Sequence, residues 1–203
     1  MKLGAVFASL SVVISSFVNA IPLDLQWGQS KESIEKNWAL VESSPYGGYV
    51  IDKDESKEKN KIRAFDKYYM EILPENGLCS MIVTKSIPIS YSGAELVDSY
   101  GKIKKILNNE FGRSVSMGED YKKIKNLDDP LMISIRTGNV SVKEGWSRKI
   151  GSKMINGINA VYLSIDEVNP FDYEAKISIT YDGYTKGCKE EMDKIKEIVY
   201  KNS

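Results

Sequence analysis

Leu96, Tyr100, Ile103, Leu107 and Phe111 recur at steps of four, three, four and four, while Asp98, Lys102, Lys105 and Asn109 occupy the opposite side. Such spacing keeps the apolar set on one helical face, and predicts an amphipathic helix over residues 92–111 that buries that face against a sheet. Ser92 and Glu95 have the spacing of a capping box, in which each side chain satisfies the other residue's amide. Gly112 then stops the helix, because glycine enters the left-handed cap conformation without a Cβ clash. Cys188, Met192, Ile195 and Val199 make a second stripe of the same kind and predict a closing helix.

Between these stripes the period changes to two. Tyr68, Met70 and Ile72 alternate with Lys67, Tyr69 and Glu71, and predict a strand within Arg63–Leu73. Pro74-Glu-Asn-Gly77 reads as a turn, and Leu78–Thr84 as the returning strand with Cys79, Met81 and Val83 on one face. Later, Val161, Leu163 and Ile165, then Ile177, Ile179 and Tyr181, mark two more strands separated by the turn signal Asn169-Pro170. Near the start, Ser30 is a candidate N-cap for a short helix carrying Ile34, Trp38 and Val41, and Tyr46–Ile51 reads as a strand. The run Asp52–Asn60 has no apolar residue and reads as an exposed hairpin tip. Asp129-Pro130 opens either a short helix over Leu131–Arg136 or a strand there, and Trp146 stands alone in a polar stretch.

Both wings of the chain, residues 21–112 and 113–203, thus end in strands followed by an amphipathic helix. The expected fold is α+β, an antiparallel sheet with amphipathic helices packed on one face, in a single domain over residues 21–203. Residues 1–20 stand apart. Met1-Lys2 is followed by an uncharged segment from Leu3 to Val18 and by Val18-Asn19-Ala20, the form of a secretory signal peptide cut after Ala20. Ser9, Ser11, Ser15 and Ser16 interrupt the segment and Asn19 follows it, which disfavours a membrane anchor. The expected location is periplasmic or secreted, with no integral membrane segment after cleavage.

Export changes the reading of Cys79 and Cys188. In an oxidising compartment two cysteines on apolar stripes are expected to pair, closing a loop of roughly half the chain. Charge and composition narrow the chemistry further. Lys+Arg and Asp+Glu balance at 28 each, which leaves no electrostatic case for nucleic acid. Histidine is absent, which removes the commonest general base and metal ligand. No catalytic, cofactor-binding or metal residues are assigned, and no cofactor is expected.

Apparent motifs fail on their missing partners. Ser-x-x-Lys occurs at Ser33, Ser56 and Ser99, without the Lys-Thr-Gly and Ser-Asp-Asn elements that such a site requires. Tyr100 and Lys104 have a dehydrogenase-like spacing but no glycine-rich nucleotide turn precedes them. Asp52–Arg63 begins like a calcium loop, yet carries Lys57 and Arg63 where glycine and glutamate are needed. Asp128-Asp129 and Glu190-Glu191 are adjacent carboxylates that fit the first turns of helices, where the dipole favours acids. What remains is a binding surface. Among twelve tyrosines, Tyr46, Tyr49 and Tyr69 are the candidate anchors, since tyrosine offers rigid contact area with a polar tip.

Trp27-Gly-Gln-Ser-Lys-Glu-Ser-Ile34 resembles the opening of small exported bacterial proteins, the outer-membrane assembly lipoproteins of the SmpA type among them. The likeness covers about eight residues. The chain departs from that family in lacking a lipidation cysteine, since Ile21 follows the cut, and in its greater length, so no functional residue is carried over. The leading expectation is a non-enzymatic exported protein that binds an unidentified protein partner, such as a periplasmic immunity or inhibitor protein. An envelope-assembly accessory and a hydrolase with an unrecognised carboxylate site are the alternatives.

Overall fold

The computed structural model describes residues 21–52, 54–57 and 65–202 of the 203. The expected signal peptide over residues 1–20, Lys53 and residues 58–60 of the charged run, and the expected strand start at Arg63 lie outside the described residues. Eight strands form one sheet: β1 (Ala39–Ser44), β2 (Gly48–Asp52), β3 (Lys67–Leu73), β4 (Gly77–Pro88), β5 (Val115–Ser116), β6 (Val142–Ser147), β7 (Ala160–Asn169) and β8 (Glu174–Asp182). Their order is β1-β2-β3-β4-β8-β7-β6-β5, and every pair is antiparallel. The helices are α1 (Lys31–Ile34), α2 (Ala94–Phe111), α3 (Pro130–Arg136) and α4 (Lys186–Asn202). The fold is α+β.

The two wings meet where β4 pairs with β8. Register carries the core straight across that seam: Met70 lies opposite Met81, Met81 opposite Tyr181, Tyr181 opposite Val161, and Val161 opposite Trp146. Because side chains alternate along a strand, these residues share one face of the sheet. α2 covers that face with buried Leu96, Tyr100, Leu107 and Phe111. The Tyr100 hydroxyl donates to the Leu163 carbonyl at 3.1 Å, and burial pushes its pKa well up. The Trp146 indole, fully buried, donates to Asn108 Oδ1 at 3.1 Å and to the Gly112 carbonyl at 3.0 Å. It ties the helix end to β6 through a residue that reads as isolated in the sequence.

Not every helix packs on that face. The α4 stripe belongs to a second, smaller cluster of Leu73, Cys79, Cys188 and Met192, and the Tyr184 hydroxyl just before α4 bonds to Glu71. Leu73 and Glu71 alternate with the core residues Met70 and Ile72, so α4 lies on the opposite face. The expectation of helices on a single face is corrected for α4. The physical reason is that the corner of the core face beside β8 is already filled by residues 21–29. The Leu78 carbonyl accepts from the Gly28 amide and the Leu78 amide donates to the Gln29 carbonyl, and the Trp27 ring lies on Gly183.

The same corner corrects the expected alignment of Cys79 with Met81 and Val83. Glu71 pairs with Ser80 but Ile72 pairs with Leu78, so Cys79 is an extra residue in a β-bulge. Such a residue turns the strand locally. Here it takes Cys79 out of the core row and into the α4 cluster. The Cys79–Cys188 disulfide forms there, across a separation of 109 residues.

Two local expectations shift for simpler reasons. α1 keeps its Ser30 cap, whose hydroxyl accepts from the Ser33 amide at 3.3 Å, but ends at Ile34; Val41 then lies in β1, paired with Val50. The capping box at α2 is displaced. Gly93 takes a left-handed turn ahead of the helix, Ser92 Oγ accepts from the Ala94 amide, and Glu95 reaches back past Ser92 to the Ser90 amide at 2.9 Å. Asp129-Pro130 does open a helix, with Asp129 Oδ1 accepting from the Leu131 amide at 2.9 Å.

Candidate functional site

One row of side chains crosses the whole sheet on the face that α2 does not cover. Val41 pairs with Val50, Val50 with Tyr69, Tyr69 with Ile82, Ile82 with Thr180, Thr180 with Tyr162, Tyr162 with Gly145, and Gly145 with Val115. Seven inter-strand steps of about 4.8 Å make this row roughly 34 Å long. Its ends are open, with Val41 54% and Val115 47% exposed, and its middle is half-buried. None of Val50, Tyr69, Ile82 and Tyr162 belongs to or packs against either hydrophobic cluster of the described residues.

Polar rows run on both sides of it. Lys67, Thr84, Ser178, Ser164 and Lys143 follow one another in register on one side. Glu71, Ser80 and Asp182 do so on the other, where α4 begins. The Lys143 ammonium stands 4.4 Å from the Tyr162 ring centroid, within the range of a cation–π contact. Met117 lies across Gly145, where a Cβ would come within 2.7 Å of its sulfur and 3.5 Å of Tyr162 Cδ1. Glycine at that position lets the thioether lie against the strand. Burial raises the pKa of Asp182.

The three tyrosines singled out by the sequence go to three different places. Tyr69 stands in the open row. Tyr49 pairs with Met70, hence faces the core side, where it is half-buried with the Lys31 ammonium 4.8 Å from its ring centroid. Tyr46 lies in the β1–β2 turn against the α4 cluster. One flat surface cannot include all three. Sequence reasoning passed over Ile82 and Tyr162, whose signal was a large apolar side chain at the parity expected to be polar.

Three carboxylates have structural roles. Asp129 caps α3, buried Glu144 pairs with Lys104 at 2.5 Å, and buried Glu191 accepts from the β3–β4 turn. Among the described residues, no group of three or more His, Cys, Asp or Glu gathers where it could hold a metal ion, and no helix is long and apolar enough to cross a membrane. No protein family, curated protein or solved structure matches this chain.

Proposed function

We propose that this chain is an exported, non-enzymatic protein that binds another protein through the open face of its sheet. The supporting observation is the row Val50–Tyr69–Ile82–Thr180–Tyr162, in register across the central strands and outside both hydrophobic clusters of the described residues. An apolar strip flanked by polar rows has the anatomy of an interface, an apolar centre with a wet rim. Two aromatic side chains in the strip supply the kind of anchor that dominates interface energetics. Lysines and carboxylates both border the strip, so the partner surface is expected to be flat and close to neutral. An inhibitor or immunity protein, neutralising an enzyme or toxin that acts on the cell envelope, is the class that suits the signal segment, the disulfide and the size.

The test is affinity capture of the mature protein's partner from its own envelope, followed by titration of the purified pair with two variants. Tyr69→Ala and Ile82→Lys are expected to weaken binding about 30-fold or more, corresponding to a hot-spot loss of about 2 kcal/mol, with Tm unchanged. Full affinity in both variants would place the interface elsewhere.

A further inference from the structure

Two adjoining hollows, about 580 Å³ and 340 Å³, meet at Trp27, and Asp24, Gln26 and Trp27 line both. The ring between them has a defined orientation. A Cβ on Gly183 would lie 2.2–2.5 Å from Cδ2, Cε2 and Cε3 of the indole, nearly equidistant from all three, so one ring face rests flat on the Gly183 backbone. Trp27 lines both hollows, and a Cβ on Gly157 would lie 3.0 Å from its Cδ1. Trp38 and Trp146 are both buried in the core, whereas Trp27 is only half-buried. Its Nε1 is buried without an acceptor among the described residues, a situation that native structures rarely tolerate without cause.

The walls are built at a conformational cost. Leu23 and Asp24 are consecutive left-handed residues, at φ 71° and 57°, and Asn156 on the opposite wall has φ 51°. Left-handed non-glycine residues cost of order 1 kcal/mol each and concentrate at ligand sites. Among the described residues the polar side chains in the walls are a carboxylate (Asp24), three carboxamides (Gln26, Gln29 and Asn156) and a hydroxyl (Ser33), with no lysine or arginine. Gln29 Nε2 already donates to Ser33 Oγ at 3.1 Å and its Oε1 accepts from the Gln26 amide at 3.2 Å. An anionic ligand would meet no counter-charge from these lining residues. A polyhydroxylated neutral ligand would meet donors and acceptors in planar pairs, beside an aromatic face suited to a patch of C–H groups.

We infer that this hollow binds a neutral saccharide, with a pyranose ring stacked on Trp27 and its hydroxyls bonded to the carboxamides and carboxylate around it. The pair of hollows sharing one indole suits two adjacent sugar rings. The site lies away from the open-face row and does not depend on it.

Trp27 is the half-buried member of a set of three tryptophans, so its emission reports directly on the site. Cellotriose, maltotriose and chitotriose are to be titrated separately into the mature protein, up to about 10 mM. At least one is expected to give a saturable change in Trp27 emission, with a dissociation constant between about 10 μM and 1 mM. Gln26→Ala and Asn156→Gly, the latter compatible with the positive φ, should weaken that binding at least tenfold with Tm retained. Tyr69→Ala should leave it unchanged, which separates this site from the open face. No emission change with any of the three saccharides, or unaltered binding in both wall variants, would overturn the assignment.

Discussion

Glu191, on α4, receives the β3–β4 turn at Asn76: its Oε2 accepts from the Asn76 backbone amide at 3.0 Å and from the Asn76 side-chain amide at 2.8 Å. The other oxygen accepts from the Glu75 amide at 2.8 Å. A buried carboxylate is costly unless it is fully hydrogen-bonded, and three donors meet that condition here. The contact fixes α4 on the sheet face opposite α2, one helical turn from Cys188.

Replacing Glu191 with alanine removes the acceptor and leaves turn amides without a partner. Loss of a hydrogen-bonded charge at such a site costs about 2–3 kcal/mol. Urea unfolding of Glu191→Ala should show that loss, and Glu191→Gln, which keeps one acceptor oxygen, should fall between the variant and the wild type. A variant as stable as the wild type would show that the turn amides find water instead.

The Cys79–Cys188 disulfide should stabilise the same junction from the unfolded side. It closes a loop across a separation of 109 residues. Chain entropy puts such a constraint at about 4–5 kcal/mol, with delivered values often lower. The double variant Cys79→Ser/Cys188→Ser is expected to melt well below the oxidised wild type and to coincide with the reduced protein. Peptide mapping of exported protein should find no free thiol.

Glu110, in the last turns of α2, is raised by burial to about 7 from an ordinary 4.5. The folded state therefore holds this proton where the unfolded chain has released it. The contribution is complete below about pH 4.5, is lost as pH rises through about 7, and is constant above. The group is only half-buried, so solvent screening reduces the effect to about 1–2 kcal/mol. Denaturant midpoints measured at pH 5 and pH 7.5 should differ more for the wild type than for Glu110→Gln.

Intact mass of the protein from its native host should correspond to a chain beginning at Ile21. Ile21 is 2% exposed and bridges to Leu25, so the residue expected to begin the mature chain is a core residue. Deleting Ile21-Pro22 from the mature form is accordingly expected to lower Tm, by the loss of a buried aliphatic side chain worth about 1.5–3 kcal/mol. An unprocessed product would refute the cleavage site.

Much of the architecture was legible in local patterns. The stripes that make α2 and α4 and the alternation that makes β3, β7 and β8 depend on neighbours within a few residues, and each lies where the pattern placed it. At Asp129-Pro130 the pattern left helix and strand open, and the helix formed. The Cys79–Cys188 pairing is expected from two apolar positions and an expectation of export, and the disulfide is present. These features are local because helix and strand periods are properties of the backbone itself.

Tertiary structure decided which face each element meets. Cys79 left its row because β4 carries one more residue than β3 at the bulge, a mismatch between two strands that neither strand reveals alone. α4 took the far face because Trp27, from the other end of the chain, fills the near corner over Gly183. Tyr49 and Tyr69 look equivalent in sequence, yet pairing to Met70 and to Val50 sends them to opposite faces. A residue's parity is written in its own strand, whereas what covers that parity depends on register and on distant segments competing for the same surface.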